Sequence, residues 1–236
     1  MKTWFEFKAK ADDTTEIFIF DEIDPYWGIG AKQFIDELNA VTTANIDLRI
    51  NSIGGSVFDG LAMANALKRH AAKVRVTVEG LAASIASVIA IAGNSVEMGD
   101  GAFLMIHNAW TFAWGNAKEL RKQADDLDKI NESIVSAYVA KTGLKRDDIA
   151  AMMDAETWLS AAECVEKGFA DKTVEGMKAV ALAKDAAKAF RNIPAALVAK
   201  DDEPPPAPQK QPPACNHLWR MKLREKRQAL IEQTTN

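Results

Sequence analysis

Cross-linking and metal chemistry have little to work with in this 236-residue sequence. Its two cysteines, Cys164 and Cys215, sit in unrelated surroundings, so no disulfide framework can be drawn, and no Cys/His cluster has metal-ligand spacing. A reducing compartment is expected, with neither metal nor cofactor. Charge of one sign is also missing. The net charge is -4, and the main body has no basic stripe of the kind that tracks a nucleic-acid backbone. Long apolar runs are absent too. The most apolar stretch, Leu81 to Gly93, is well short of the roughly 20 residues that span a bilayer. The start, Met1 to Ala9, mixes Trp4 and Phe5 with Lys2, Glu6 and Lys8, and so lacks the apolar core of a signal peptide. The expectation is a soluble cytoplasmic protein that binds neither nucleic acid nor membrane.

A hydrophobic fraction of 48% against 26% charged residues is enough to build a packed core. Four regions differ in character. Residues 1–180 alternate between β-type and helical patterns and form the main domain. Residues 181–200 are an Ala/Lys-rich extension, either a helix or a frayed end. Residues 201–214, with Pro204, Pro205, Pro206, Pro208, Pro212 and Pro213, form a stiff solvated linker. Residues 215–236 carry Arg220, Lys222, Arg224, Lys226 and Arg227 among Leu218, Met221, Leu223, Leu230 and Ile231. That is a basic amphipathic tail, either solvated or a docking peptide.

Within the main domain, Ile17 to Phe20, Ile46 to Ile50, Val74 to Val78 and Ala102 to Ile106 are predicted strands. Ala31 to Val41, Val57 to His70, Ser84 to Ala92 and Ala117 to Lys141 are predicted helices. Alternation at these lengths predicts βαβ units, an α/β fold and a mostly parallel sheet.

Ligands of such folds bind at the carboxyl ends of the strands. Three strand ends here carry unusual residues. Gly54-Gly55 follows the strand ending at Ile50, and consecutive glycines permit a tight turn that exposes backbone amides. Ser84 stands at the start of a small-residue helix, where a hydroxyl and the next amide both face outward. His107 closes an apolar strand, whereas His70 lies at a helix end and His217 in the tail. Taken singly, each has a structural reading: a tight turn, a helix cap, a buried histidine. Together they meet the needs of acyl transfer. Serine requires a base within hydrogen-bond reach, and the tetrahedral intermediate requires two preorganised donors, which the Gly55 and Ile85 amides would supply.

The segments Ile50-Asn51-Ser52-Ile53-Gly54-Gly55, Gly80-Leu81-Ala82-Ala83-Ser84 and Met105-Ile106-His107 resemble, in order and spacing, three signature segments of the Clp protease proteolytic subunit family. Trp158 to Glu163 and Gly168 to Asp171 resemble that family's segment after its triad acid. The resemblance covers roughly Ile17 to Val174 and looks nearest to the phage and prophage branch that matures heads. It implies a Clp-protease/crotonase-like βαβ superhelix with a long handle helix from Ala117. It makes Ser84 the nucleophile, His107 the base, and Gly55 and Ile85 the oxyanion donors. The acid falls on Glu156 in an ungapped match, where the family has aspartate, and Asp154 is the alternative.

The resemblance also implies stacked rings acting on protein or peptide substrate, with capsid or scaffold proteins as partners and the host cytoplasm as location. The start does not match the family's unfoldase-docking segment, which weighs against an ATPase partner. The aromatics Trp110, Phe112 and Trp114 line subsites or a subunit interface. Two other functions compete with a serine endopeptidase: a crotonase-like acyl-CoA enzyme, and a scaffolding homologue without activity.

Overall fold

The computed structural model describes residues 5–9, 12–25, 28–175, 190–194 and 197. The linker and tail expected at 201–214 and 215–236 lie outside the described residues, as does most of the extension at 181–200.

Eight strands make one sheet: β1 (Phe5–Ala9), β2 (Thr14–Ile19), β3 (Asn45–Ser52), β4 (Lys73–Ala83), β5 (Ser95–Gly99), β6 (Phe103–Ile106), β7 (Thr157–Ser160) and β8 (Lys172–Val174). The main path runs β1-β2-β3-β4-β5-β8, and β6 pairs with β4 and β7. Every pairing except β1 with β2 and β6 with β7 is parallel. The mostly parallel α/β fold expected from the sequence is therefore present, with antiparallel pairs at two margins.

Six helices connect or flank these strands: α1 (Ala31–Asn39), α2 (Val57–Arg69), α3 (Ile85–Ala90), α4 (Ala117–Thr142), α5 (Arg146–Asp154) and α6 (Ala161–Glu166). Alternation in β3 and β4 buries Ile46, Leu48 and Ile50 beside Val74, Val76 and Val78, so the centre of the core lies under these two strands. The sheet's charged positions pair across strands, with Arg49 bonded to both Glu16 and Glu79.

The strand predicted over Val74 to Val78 continues through Glu79-Gly80-Leu81-Ala82-Ala83. The reason is a second partner. The first half of β4 pairs with β5, while Leu81, Ala82 and Ala83 pair with Phe103, Leu104 and Met105 of β6. Ser84 is left as the single residue between β4 and α3. α4 is the long helix predicted from Ala117. It starts at a reciprocal capping box between Asn116 and Glu119 and stops at Gly143, whose φ of 71° suits glycine. Only Ile134, Val135 and Tyr138 of α4 are buried, all in its second half. Among the described residues, no helix is long and apolar enough to cross a membrane.

Candidate active site

The three strand ends singled out by sequence come together. β3, β4 and β6 are consecutive parallel neighbours, so their carboxyl ends open on the same edge of the sheet. Ser84 turns between strand and helix at φ 54° and ψ -129°, a conformation that costs a non-glycine residue of order 1 kcal/mol. Its N–H donates to the Met105 carbonyl at 2.9 Å, which ties the turn to β6 just before His107. His107 Nε2 lies 2.8 Å from Ser84 Oγ. With Nε2 accepting the hydroxyl proton, the imidazole carries its own proton on Nδ1.

Just past β3, Gly54 packs against this turn and Gly55 against Ile23. At φ 90°, a Cβ on Gly54 would stand 2.6 Å from the Ala83 carbonyl oxygen and 2.9 Å from Ser84 Cβ. At φ 142°, one on Gly55 would stand 2.2 Å from the Ile23 carbonyl oxygen. Neither position admits a side chain. The surrounding chain is anchored by Ile23 N–H to the Gly54 carbonyl (2.8 Å) and Ser56 N–H to the Ile23 carbonyl (2.6 Å). Among the described residues, the amides of Gly55 and Ile85 donate to no protein acceptor. Two free N–H groups beside a serine hydroxyl are what an oxyanion hole requires.

The two carboxylates left open by sequence separate in space. β6 and β7 are antiparallel with Ile106 opposite Thr157. His107, just past the end of β6, therefore meets Glu156, just before the start of β7. Glu156 is only 7% exposed, and its charge acts on the imidazole. Asp154 ends α5, is exposed, and accepts from Asn108 Nδ2 at 2.7 Å. Glu156, like Ser84, holds a positive φ, at 49°.

Burial of the imidazole pushes the His107 pKa below the ordinary histidine value. The Glu156 charge pulls it up and the Arg191 charge pushes it further down. His107 thus favours the neutral form that a general base needs. His70, just past the end of α2, accepts from the Ala72 N–H through Nδ1 at 3.1 Å and so shapes the turn into β4.

The contacts of two groups near the site were missed by sequence reasoning, which reads Ser87 only as buried helix packing. Ser87, one turn into α3, donates to the Ser84 carbonyl at 2.5 Å and lies 2.7 Å from the hydroxyl of the fully buried Tyr138. Hydroxyl spacing gives no signal of such a link between α3 and α4. The other group is the segment 190–192. The N–H groups of Arg191 and Asn192 donate to Glu156 Oε1 at 2.8 and 2.6 Å, and the Phe190 ring stands edge-on to His107. Among the described residues, no three His, Cys, Asp or Glu side chains converge as a metal site. Cys164 is a buried free thiol whose pKa burial pushes up to about 12.

The residue pattern of the Clp protease family matches residues 2–177 of this chain. The ATP-dependent Clp protease proteolytic subunit of Bacteroides fragilis is 28% identical over 161 residues, covering 67% of this chain and 78% of the relative. Subunit 2 of the same enzyme from Parasynechococcus marenigrum is 32% identical over 133 residues, 56% of this chain and 68% of the relative. Subunit 1 from Protochlamydia amoebophila is 28% identical over 176 residues, 71% of this chain and 84% of the relative.

Proposed function

The chain belongs to the Clp protease family and is a serine-type endopeptidase, and from that premise we propose that Ser84 is its nucleophile, His107 its general base and Glu156 its acid. The observation that carries this reading is the 2.8 Å contact of Ser84 Oγ with His107 Nε2, together with the Gly55 and Ile85 amides, which donate to no acceptor among the described residues. Ser84 Oγ attacks the scissile carbonyl as Nε2 takes its proton. The Gly55 and Ile85 N–H groups receive the oxyanion. His107 then returns the proton to the leaving amine, and water repeats the sequence on the acyl-enzyme. The Glu156 charge stabilises the imidazolium that forms in each half.

The same contact favours a peptidase over an acyl-CoA enzyme, which needs the two amides but no serine–histidine pair. It also speaks against a scaffolding homologue without activity. A serine-reactive phosphonate tests the assignment: mass spectrometry should find the adduct on Ser84, and Ser84→Ala should abolish peptide cleavage with the fold intact. Turnover that survives in Ser84→Ala removes Ser84 from the role.

At finer grain, the reading is a head-maturation protease of the phage and prophage branch, working as stacked rings in the host cytoplasm on scaffold or capsid protein, without an ATPase. Its support is the catalytic domain at 1–180 followed by a Pro-rich linker and a basic tail, a plan suited to tethering an enzyme within an assembly. The relatives carry the words ATP-dependent in their names. Degradation of unfolded casein by the purified chain without nucleotide is expected. Activity seen only with an unfoldase and ATP would put this chain with those relatives instead.

A further inference from the structure

Glu156 poses a physical problem. Its carboxylate is buried close enough to His107 to act on the imidazole, and a buried carboxylate must replace its hydration with hydrogen bonds or leave for solvent. β6 and β7 supply little of that replacement. Trp158 Nε1 reaches Oε1 only at 3.4 Å, and among the described residues no hydrogen bond runs from the His107 ring to Glu156. What holds the carboxylate comes from elsewhere. Arg191 N–H donates to Oε1 and Oε2 at 2.8 and 3.0 Å, and Asn192 N–H donates to Oε1 at 2.6 Å. Asn192 Nδ2 adds a bond to the Ala155 carbonyl at 2.9 Å, so the segment grips the chain on both sides of the Glu156 Cα.

Phe190 seats the segment on its other side. Its ring stands edge-on to His107 at 6.2 Å and to Trp158 at 5.4 Å, against a small apolar cluster of Leu81, Ala83 and Met105. That cluster lies on the face of β4 and β6 turned away from the main core. Residues 190–192 themselves lie past residue 177, the end of the family match.

We propose that residues 190–192 are a positioning segment of the catalytic site: their backbone amides hold Glu156 beside His107, and Phe190 shields the far face of the imidazole. This rests on Glu156 being the acid of the site. A carboxylate accepts up to about four hydrogen bonds. Oε2 takes only a share of one N–H, which leaves it room for Nδ1–H when the imidazole becomes charged. The segment thus does for the acid what second hydrogen-bonding partners do for metal-bound histidines, fixing its orientation from outside.

The test is a comparison of Asn192→Pro, which deletes an amide donor, with Asn192→Ala, which keeps it, in the full-length chain, with and without Glu156→Gln. Cleavage of a fluorogenic peptide is followed to separate kcat from KM. The proline variant should lose about tenfold in kcat at unchanged KM, the equivalent of one charge-assisted hydrogen bond, while the alanine variant, which keeps the amide and gives up only the Nδ2 bond, should lose clearly less. In the Glu156→Gln background, proline should cause no further loss. Equal behaviour of proline and alanine overturns the proposal. So does the same proline loss in both backgrounds, which marks a merely structural role, and so does a rise in kcat, which marks a restraint on the site. If Glu156→Gln alone leaves kcat untouched, the assignment of the acid has failed, and the inference falls with it. Should Asn192→Pro not fold, Phe190→Ala enters the same cycle under the same criteria, with Phe190→Tyr expected to restore kcat.

Discussion

His107 feels three pressures whose signs are known. Burial and the Arg191 charge favour the neutral imidazole, and the Glu156 charge favours the imidazolium. Burial is the largest, so the pKa sits below the usual histidine value and the base is ready at neutral pH. Activity should fall as pH drops through that depressed value, because protonated Nε2 cannot accept from Ser84. Glu156→Gln removes the upward pull. The acid limb of kcat/KM should then move to still lower pH, and kcat should drop by on the order of 10⁴, as it does when a Ser-His-Asp site loses its acid. A limb that stays in place or moves up shows that Glu156 does not act on His107. The meeting of Ser84 with His107 was legible in the sequence because strand ends of a parallel sheet are the few places where such residues converge. The choice between Glu156 and Asp154 was not legible. It depends on the β6–β7 register, which sets Glu156 opposite His107, and a slip of two residues there would bring Asp154 to the imidazole instead.

Elements meet at one buried pair of hydroxyls. Ser87 spends its proton on the Ser84 carbonyl, so the Tyr138 hydroxyl must donate to Ser87 Oγ. α4 is thereby tied to the turn that carries Ser84. Burial raises the Tyr138 pKa strongly, which keeps the phenol a donor throughout the working pH range. Ser87→Ala leaves that donor buried without a partner, at a cost of about 1–3 kcal/mol, whereas Ser87→Ala made on Tyr138→Phe should cost clearly less. Chemical denaturation of the four chains measures the difference, and equal costs would show that the hydroxyls do not bond. The main elements were readable from periodicity, notably α1, α2, α4 and the alternating β3 and β4. β1, β5, β7 and β8 were not assigned, since strands of three to five residues show too few alternations to stand out from loops.

At the scale of the molecule, apolar surface has collected on one part of the chain. Trp110, Phe112 and Trp114 are 59%, 81% and 84% exposed in the stretch before α4, and Leu120 is exposed on its first turn. Aromatic side chains of this kind bury about 150–250 Å² each when covered, enough to matter to assembly. If this region joins subunits, Phe112→Asp with Trp114→Asp should lower the native mass. An unchanged assembly would leave these aromatics to substrate binding. The part of the site least visible in the sequence also belongs to this scale. An Ala/Lys-rich stretch predicts only a helix or a frayed end, and nothing in its composition reveals that residues 190–192 return to Glu156.

The glycine turn and the start of α3 have one more consequence, for how this enzyme can change over generations. Its candidate oxyanion donors are main-chain atoms, and main-chain atoms are not encoded one by one. Substitution at position 85 by any residue other than proline leaves the N–H in place, while position 55 fails through crowding against Ile23. Inherited variation can therefore reshape the side chains around the cleft, and with them the choice of substrate, with little risk to those two donors.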